Sequence, residues 1–171
     1  KGTAHYSGAL GIEAYSLEAN ARSFPDHFHS YYVIGFVAKG SRRLRCAGRG
    51  CELREGGVML LNPGDSHGCA PDGGRALDYK AFNISRAVME KAARTLSRGG
   101  EAAEPRFSAN VMHDGDIAAL AEKLYAAVVE RAPRAKQEDA FLALLKRLLA
   151  RSPASGSTQK PKCGTVSLLR R

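Results

Sequence analysis

The sequence predicts a mainly β chain with C-terminal helices, in which a small barrel or sandwich of the jelly-roll kind is followed by two to three α-helices. Two observations carry this prediction. In the first half, short runs of alternating or β-branched residues are separated by Gly, Pro, Asn and Asp, a pattern typical of many short strands in one barrel or sandwich. After Ser85 the apolar residues recur every three or four positions, which is the period of an amphipathic helix.

Six segments of the first half have the composition of strands. Leu10, Ile12 and Ala14 alternate with more polar neighbours, and later runs are either compactly apolar or flank a glycine-containing turn. The turn between Cys46 and Cys51 predicts a hairpin. The segments are 10–14, 31–38, 42–46, 51–54, 58–61 and 77–82.

Three helices are predicted in the second half. Ser85 is a candidate N-cap of the first helix, and Asp114 or Asp116 can cap the second after a short extended piece around residues 107–112. Pro133 interrupts the second helix, and a third follows it. The apolar stripe of the second helix is Ile117, Leu120, Ala121, Leu124 and Val128, and that of the third is Phe141, Leu144, Leu145, Leu148 and Leu149.

These two stripes must be buried against something. We expect them to pack on each other and on the barrel, and because the barrel is small we also expect a seam that a second copy of the chain would cover. A DNA-reading helix pair is a weaker alternative, since few side chains suited to base contacts are available. They are Arg131, Arg134, Lys136 and Gln137.

Charge and composition divide the chain further. The 171 residues are 44% hydrophobic, enough for one domain with a core, and the net charge is +9. Five basic residues and no acid lie from Arg151 onward, which leaves +4 for residues 1–150. We therefore expect a barrel over 1–84, a helical region over 85–150, and a flexible basic linker over 151–171.

Neither a membrane span nor a signal peptide is indicated by the sequence. No apolar run approaches the roughly 20 residues needed to cross a bilayer, and the first residues lack the apolar core of a signal peptide. The expectation is a cytoplasmic protein.

Three histidines form the most informative pattern in the chain. His27 and His29 are separated by Phe28, so in a strand both imidazoles lie on one face and the phenyl ring on the other. His67 follows in the turn Asn62-Pro-Gly-Asp-Ser-His67 of a neighbouring hairpin. We expect the three imidazoles to converge, either as a site for a divalent metal such as Zn, Ni, Fe or Mn or as polar groups of a pocket that holds no metal.

The acidic residues near these histidines are not placed to join them. Asp26 is adjacent in sequence to His27 and should face away from it, and Asp65 lies in a tight turn where its side chain is expected to accept bonds from main-chain amides. Cys69, two residues after His67, is either a fourth ligand or a small buried apolar side chain.

The His-x-His segment, and later a Gly-x5-Pro-Gly-x2-His turn from Gly57 to His67, together resemble the two motifs of the cupin fold. More narrowly, the layout resembles the N-terminal sensor domain of AraC-type transcription regulators. That resemblance implies a small-molecule effector in the barrel, a homodimer, and DNA binding through a C-terminal domain that is absent from this chain. Cupins with full metal chemistry usually carry a glutamate where this chain has Val33 or Ile34.

The sequence therefore predicts an effector-sensing and dimerisation domain and not an enzyme. The candidate effector-binding residues are Tyr31, Arg43, Arg45, Tyr79 and Phe82, chosen as aromatic or basic residues of the strands. The alternative is a metal-dependent cupin enzyme of the dioxygenase or isomerase type that uses His27, His29 and His67. Turnover of a small acid, as opposed to binding alone, distinguishes the two.

Overall fold

The computed structural model of the chain describes residues 1–72, 76–97 and 104–151. Ten strands and three α-helices are formed within these ranges. The strands are β1 Gly2–Ser7, β2 Ile12–Asn20, β3 Phe24–His27, β4 Tyr32–Lys39, β5 Ser41–Cys46, β6 Arg49–Arg54, β7 Gly57–Leu61, β8 His67–Pro71, β9 Leu77–Ile84 and β10 Val111–His113. The helices are α1 Arg86–Leu96, α2 Gly115–Val129 and α3 Arg134–Arg151.

The strands form two antiparallel sheets. The larger sheet has the order β1-β2-β9-β4-β7-β10, and the smaller has the order β3-β8-β5-β6. Val33 and Leu61 of the larger sheet and Leu44 and Leu53 of the smaller one belong to the same buried cluster. The interior of the barrel therefore lies between the sheets, and the predicted jelly-roll barrel followed by helices is confirmed.

The larger sheet is covered on its other face by the helices. Six consecutive residues of β4, from Tyr32 to Val37, are buried, as expected for a strand enclosed on both faces. Val33 and Val37 lie in the barrel cluster, whereas Ile34 and Phe36 lie in a second cluster with the apolar residues of the helices. The alternation of strand side chains thus separates two cores.

The helix boundaries follow from their caps. The Ser85 side chain accepts a hydrogen bond from the main-chain N–H of Val88, and Asp114 accepts from those of Asp116 and Ile117. These contacts satisfy main-chain donors that the first turn of a helix leaves without partners. Of the two candidate caps for α2, the structure uses Asp114.

The apolar stripes of α2 and α3 are mostly buried within the chain. Leu124 of α2 and Leu144, Leu145 and Leu148 of α3 are 0% exposed and belong to the core between the helices and the larger sheet. Because α3 packs against α2 and α1, these four side chains are not exposed for contact with a second copy. Homodimer formation stays a prediction.

The region between α1 and α2 is not wholly helical. Val111, Met112 and His113 pair with Met59, Val58 and Gly57 of β7 and extend the larger sheet by one strand. The short extended piece expected around residues 107–112 thus includes the start of β10, which adds to the sheet inside the range 85–150 otherwise assigned to helices. The part of the predicted linker that follows Arg151 lies outside the described residues. No helix in the described ranges combines the length and the apolar character needed to cross a membrane.

Candidate functional site

A cavity of about 230 Å³ lies between the two sheets. Its wall is mainly apolar, with a few polar groups concentrated towards β3, β5 and β8. The apolar residues are Leu17, Val33, Leu44, Leu53, Met59, Leu61 and Leu77, and the aromatic or polar ones are Tyr15, Asn20, Phe24, His27, His29, Arg42, His67, Cys69 and Tyr79.

The three predicted histidines converge at this cavity. His27 of β3 and His67 of β8 are register partners, and their ring centroids are 4.3 Å apart. His29 lies just beyond the end of β3, with ring centroids 4.9 Å from His27 and 5.1 Å from His67. One potential ligand atom from each of the three lies within 4.8 Å of the others. Phe28, expected to face the other way, is 71% exposed.

Main-chain carbonyl groups orient two of the imidazoles. Nδ1 of His27 lies 2.8 Å from the carbonyl oxygen of Pro25, and Nδ1 of His67 lies 3.1 Å from that of Asp65. A carbonyl oxygen can only accept, so each Nδ1 carries the hydrogen and each Nε2 keeps its lone pair. This is the arrangement that presents a histidine to a metal.

The surroundings of His29 and His67 favour their neutral forms. The pKa of His29 is lowered from 6.5 by burial and by the nearby His67 and His27. Burial is also the main cause that lowers the pKa of His67, and His27 adds to it, although the hydrogen bond to Asp65 acts in the opposite direction. Neutral imidazoles are the form that binds metal ions.

The nearby carboxylates are engaged elsewhere, as the sequence indicated. Asp26 forms an ion pair with Arg45 at 2.9 Å. Asp65 accepts hydrogen bonds from the main-chain and side-chain nitrogens of Asn62 at 3.0 and 2.9 Å. The donor set at the cavity is therefore made of three imidazole nitrogens, and it fits a divalent transition metal of borderline softness.

Two tyrosines form the opposite part of the wall. Burial raises the pKa of Tyr15 to about 12, although the nearby Tyr79 acts in the opposite direction, and burial together with the nearby Tyr15 raises the pKa of Tyr79 well above 10. Both phenols stay protonated at neutral pH. The ring of Tyr79 packs directly over Gly35, where a β-carbon would collide with its hydroxyl.

The structure places only some of the predicted effector-binding residues at the cavity or beside its histidines. Tyr79 lines the cavity, and Tyr31 stacks on His29 with ring centroids 4.7 Å apart. Arg43 and Arg45 point outwards and pair with Asp72 and Asp26. They occupy the alternate positions of β5, whose inward residues are Arg42, Leu44 and Cys46.

Phe82 is likewise not at the cavity. It lies in the core beneath the helices, in contact with Tyr125 of α2. The alternation of side chains along β9 explains this. Tyr79 and Ala81 of the same strand face the barrel, so Phe82 must face the helices.

Arg42 is the functional candidate that the sequence interpretation missed. Its side chain is 1% exposed and lines the cavity. A signal was present, since Arg42 shares its parity with the apolar Leu44 and Cys46 and therefore had to point inwards with them. The basic residues of β5 were instead judged by type alone.

A mainly apolar cavity with a few convergent polar groups is typical of a ligand-binding barrel. Residues 9–152 match the AraC-like ligand binding domain family, and the chain belongs to that family.

A similar curated protein is the uncharacterized HTH-type transcriptional regulator YbfI of Bacillus subtilis (strain 168), which is 37% identical over 140 residues. The alignment covers 82% of this chain and 50% of YbfI, so the chain spans about half the length of that relative.

Among solved structures, the chain is similar to protein NMB1881 from Neisseria meningitidis, at 15% identity and a TM-score of 0.43 over 50% of this chain and 84% of the other. A cupin protein from Bacteroides fragilis is 14% identical, with a TM-score of 0.39 over 43% of this chain and 65% of the other.

Proposed function

We propose that this chain is the effector-sensing domain of an AraC-type transcription regulator and that it binds a small molecule between its two sheets. The observation that carries the proposal is the cavity of about 230 Å³ with its apolar wall and grouped polar side chains. Membership of a ligand-binding family and the similarity to an HTH-type regulator support the regulatory role.

The composition of the wall fits binding of a small organic molecule. Apolar residues from both sheets can enclose the body of a ligand, while His29, His67, Arg42 and Tyr79 can fix its orientation. A bound effector would change the activity of the whole regulator only if it bound one conformation better than another.

The proposal is tested by filling the cavity. Leu44 is 2% exposed and faces the barrel interior, so Leu44→Trp should occupy part of the cavity. Compounds that raise the melting temperature of the wild type in a thermal-shift screen should lose their effect in this variant. Ala143→Trp is the control, because Ala143 is exposed on α3. Hits that are insensitive to L44W would contradict the proposal.

We infer in addition that His27, His29 and His67 hold a divalent metal. Two observations support this. One potential ligand atom from each imidazole lies within 4.8 Å of the other two, and Nδ1 of His27 and of His67 is hydrogen-bonded to a main-chain carbonyl group. When bound, the metal would supply a Lewis-acidic position for an oxygen or nitrogen atom of the ligand.

A metal-dependent cupin enzyme is the second candidate, and the same histidine cluster favours it. The two functions differ in what happens to a bound ligand. Incubation of each thermal-shift hit with the metal-loaded protein, followed by mass spectrometry, should recover it unchanged if the domain is a sensor. Conversion to a product at catalytic protein concentrations would favour the enzyme.

DNA recognition is assigned to a part of the full-length regulator outside this chain. The chain itself should bind operator-length and scrambled duplexes equally weakly, and the binding should disappear as salt rises. A strong sequence preference at physiological salt would instead show that α2 and α3 read DNA.

A homodimer completes the proposal. It is what the resemblance to AraC-type regulators implies, and it does not depend on the buried stripes of α2 and α3. Analytical ultracentrifugation over a hundredfold concentration range should show a monomer–dimer equilibrium. A single monomeric species at the highest concentration would contradict it.

A further inference from the structure

We propose that the small molecule bound in the barrel carries one carboxylate and that Arg42 binds this group. The inference rests on the proposed function, because it names the chemical class of the effector. It begins from a buried cation whose hydrogen bonds are incomplete.

The burial of Arg42 is unusual, because arginine side chains are seldom fully buried without a partner of opposite charge. Its side chain is 1% exposed, it lines the cavity, and its Nε is buried without any hydrogen-bond partner. A guanidinium group has five N–H donors in a fixed plane. A buried donor that has no partner costs free energy, so an unpaired Nε at a cavity indicates an acceptor supplied from outside the chain.

The contacts that Arg42 does make hold it in position without neutralising it. Nη1 donates to the carbonyl oxygen of Arg22 and to Sγ of Cys69, and Nη2 donates to the carbonyl oxygen of Asn20. None of these three acceptors is a carboxylate. The guanidinium group is therefore preorganised, and its positive charge remains.

The acids near the barrel mouth do not provide the missing charge. Asp72 pairs with Arg43 at 3.2 Å and Asp26 pairs with Arg45 at 2.9 Å. Within the described ranges, no carboxylate lies within ion-pair distance of Arg42. Burial of a cation without an anion is strongly unfavourable, and a ligand carboxylate would remove that cost while satisfying Nε.

The chemistry of the cavity selects a monocarboxylate with an apolar body. In the metal-free protein, one buried cation balances one negative charge, whereas a phosphate dianion would leave a net negative charge among apolar residues. The planar guanidinium group matches a carboxylate in shape and can donate two parallel hydrogen bonds to it. The ring of Phe24 lies 5.9 Å from the guanidinium carbon and covers one side of the site.

The test compares acids with their amides. Acetate, butyrate, hexanoate and benzoate are titrated into the 171-residue chain beside acetamide, butyramide, hexanamide and benzamide. Measurements are made at pH 8 with EDTA and constant ionic strength, so that protonated imidazoles and bound metal do not contribute. Thermal shift and isothermal titration calorimetry report binding.

Two variants of Arg42 and one of its neighbour make the test specific. Arg42→Gln removes the charge but keeps donors for the carbonyl groups, and Arg42→Lys restores a charge without the planar shape. Arg43→Gln is the matched control, because this neighbouring arginine is 78% exposed and points away from the cavity.

At least one carboxylate of the series should bind the wild type saturably and more tightly than its amide. R42Q should weaken that binding by roughly tenfold to a hundredfold, as expected for charge-assisted hydrogen bonds. R42K should recover part of the affinity, and R43Q should bind as the wild type does. The inference is overturned if no acid exceeds its amide, or if R42Q and the wild type respond equally.

The failure of this inference differs from the failure of the proposed function. A neutral compound that binds the wild type and R42Q equally, and that loses its binding in L44W, would overturn the carboxylate while the effector-sensing role stands. Hits that L44W does not affect would overturn both.

Discussion

His27 and His67 lie directly opposite each other on β3 and β8, and each imidazole is hydrogen-bonded through Nδ1 to the carbonyl group two residues before it. The same local contact on two antiparallel strands fixes both rings, whose planes are inclined to each other by 52°. Both Nε2 lone pairs are left available on rings 4.3 Å apart. These two imidazoles are thus oriented by main-chain contacts of the chain itself.

We predict that the chain binds one divalent transition metal per molecule. Titration with Ni²⁺ or Zn²⁺ monitored by calorimetry should give a stoichiometry near one, and His67→Gln should weaken the affinity at least tenfold because one of the three ligands is lost. His113→Gln is the control, since His113 is exposed on β10 outside the cluster. Equal affinities of H67Q and the wild type would contradict the site.

The histidine cluster should also make stability depend on pH. In the unfolded chain the imidazoles titrate near 6.5, and in the folded chain the pKa values of His29 and His67 are lowered. Below pH 6.5 the unfolded state therefore takes up protons that the folded state resists, and the free energy of unfolding falls as the pH decreases from 8 to 5. Urea unfolding in EDTA measures this slope.

The double variant His29→Gln/His67→Gln should flatten that dependence, because it removes the two groups whose pKa values differ between the states. H113Q should retain the slope of the wild type. A double variant with an unchanged slope would assign the pH dependence to other groups.

Leu144 should be critical for folding and not for assembly. It is 0% exposed in the core between α3 and the larger sheet, so Leu144→Ala should lower the free energy of unfolding by about 2–5 kcal/mol. Lys146→Ala, on the exposed side of α3, should change it by less than about 0.5 kcal/mol. Urea denaturation of both variants provides the comparison, and a stable, well-folded L144A would place this residue at a surface.

Gly35 should be required by its close contact with Tyr79. A β-carbon at Gly35 would overlap the Tyr79 ring and hydroxyl, so Gly35→Ala should displace that ring into the cavity and lower the melting temperature. Gly115→Ala is the matched control, since a β-carbon there meets nothing within 4 Å. G35A should also lose response to compounds found in the thermal-shift screen. An unchanged melting temperature would show that Tyr79 can be accommodated elsewhere.

The sequence was informative where a simple period decides the outcome. The spacing of His27 and His29 and the turn before His67 predicted their convergence, although His29 lies just beyond β3 and not within a strand as that argument assumed. The caps Ser85 and Asp114 likewise placed the starts of two helices, because they depend on local hydrogen bonds.

Long-range pairing was less accessible. β10 has three residues, and its place beside β7 is set by a partner about 50 positions earlier in the chain, so no local pattern marks it. Phe82 and Arg43 were chosen by residue type, whereas the direction of a strand side chain depends on which face meets the barrel. Arg42 could have been found by following the parity of Leu44.

β10 also provides a covalent connection between the cavity wall and the start of α2. Its partner β7 contributes Met59 and Leu61 to the cavity wall. The residue that follows β10, Asp114, caps α2 and lies 3.4 Å from Arg151 in the last turn of α3. Because strands joined by main-chain hydrogen bonds shift together, we expect an effector that displaces the β7 wall to pull on Asp114 as well. This three-residue strand would then act as a lever between the occupant of the barrel and the end of the last helix.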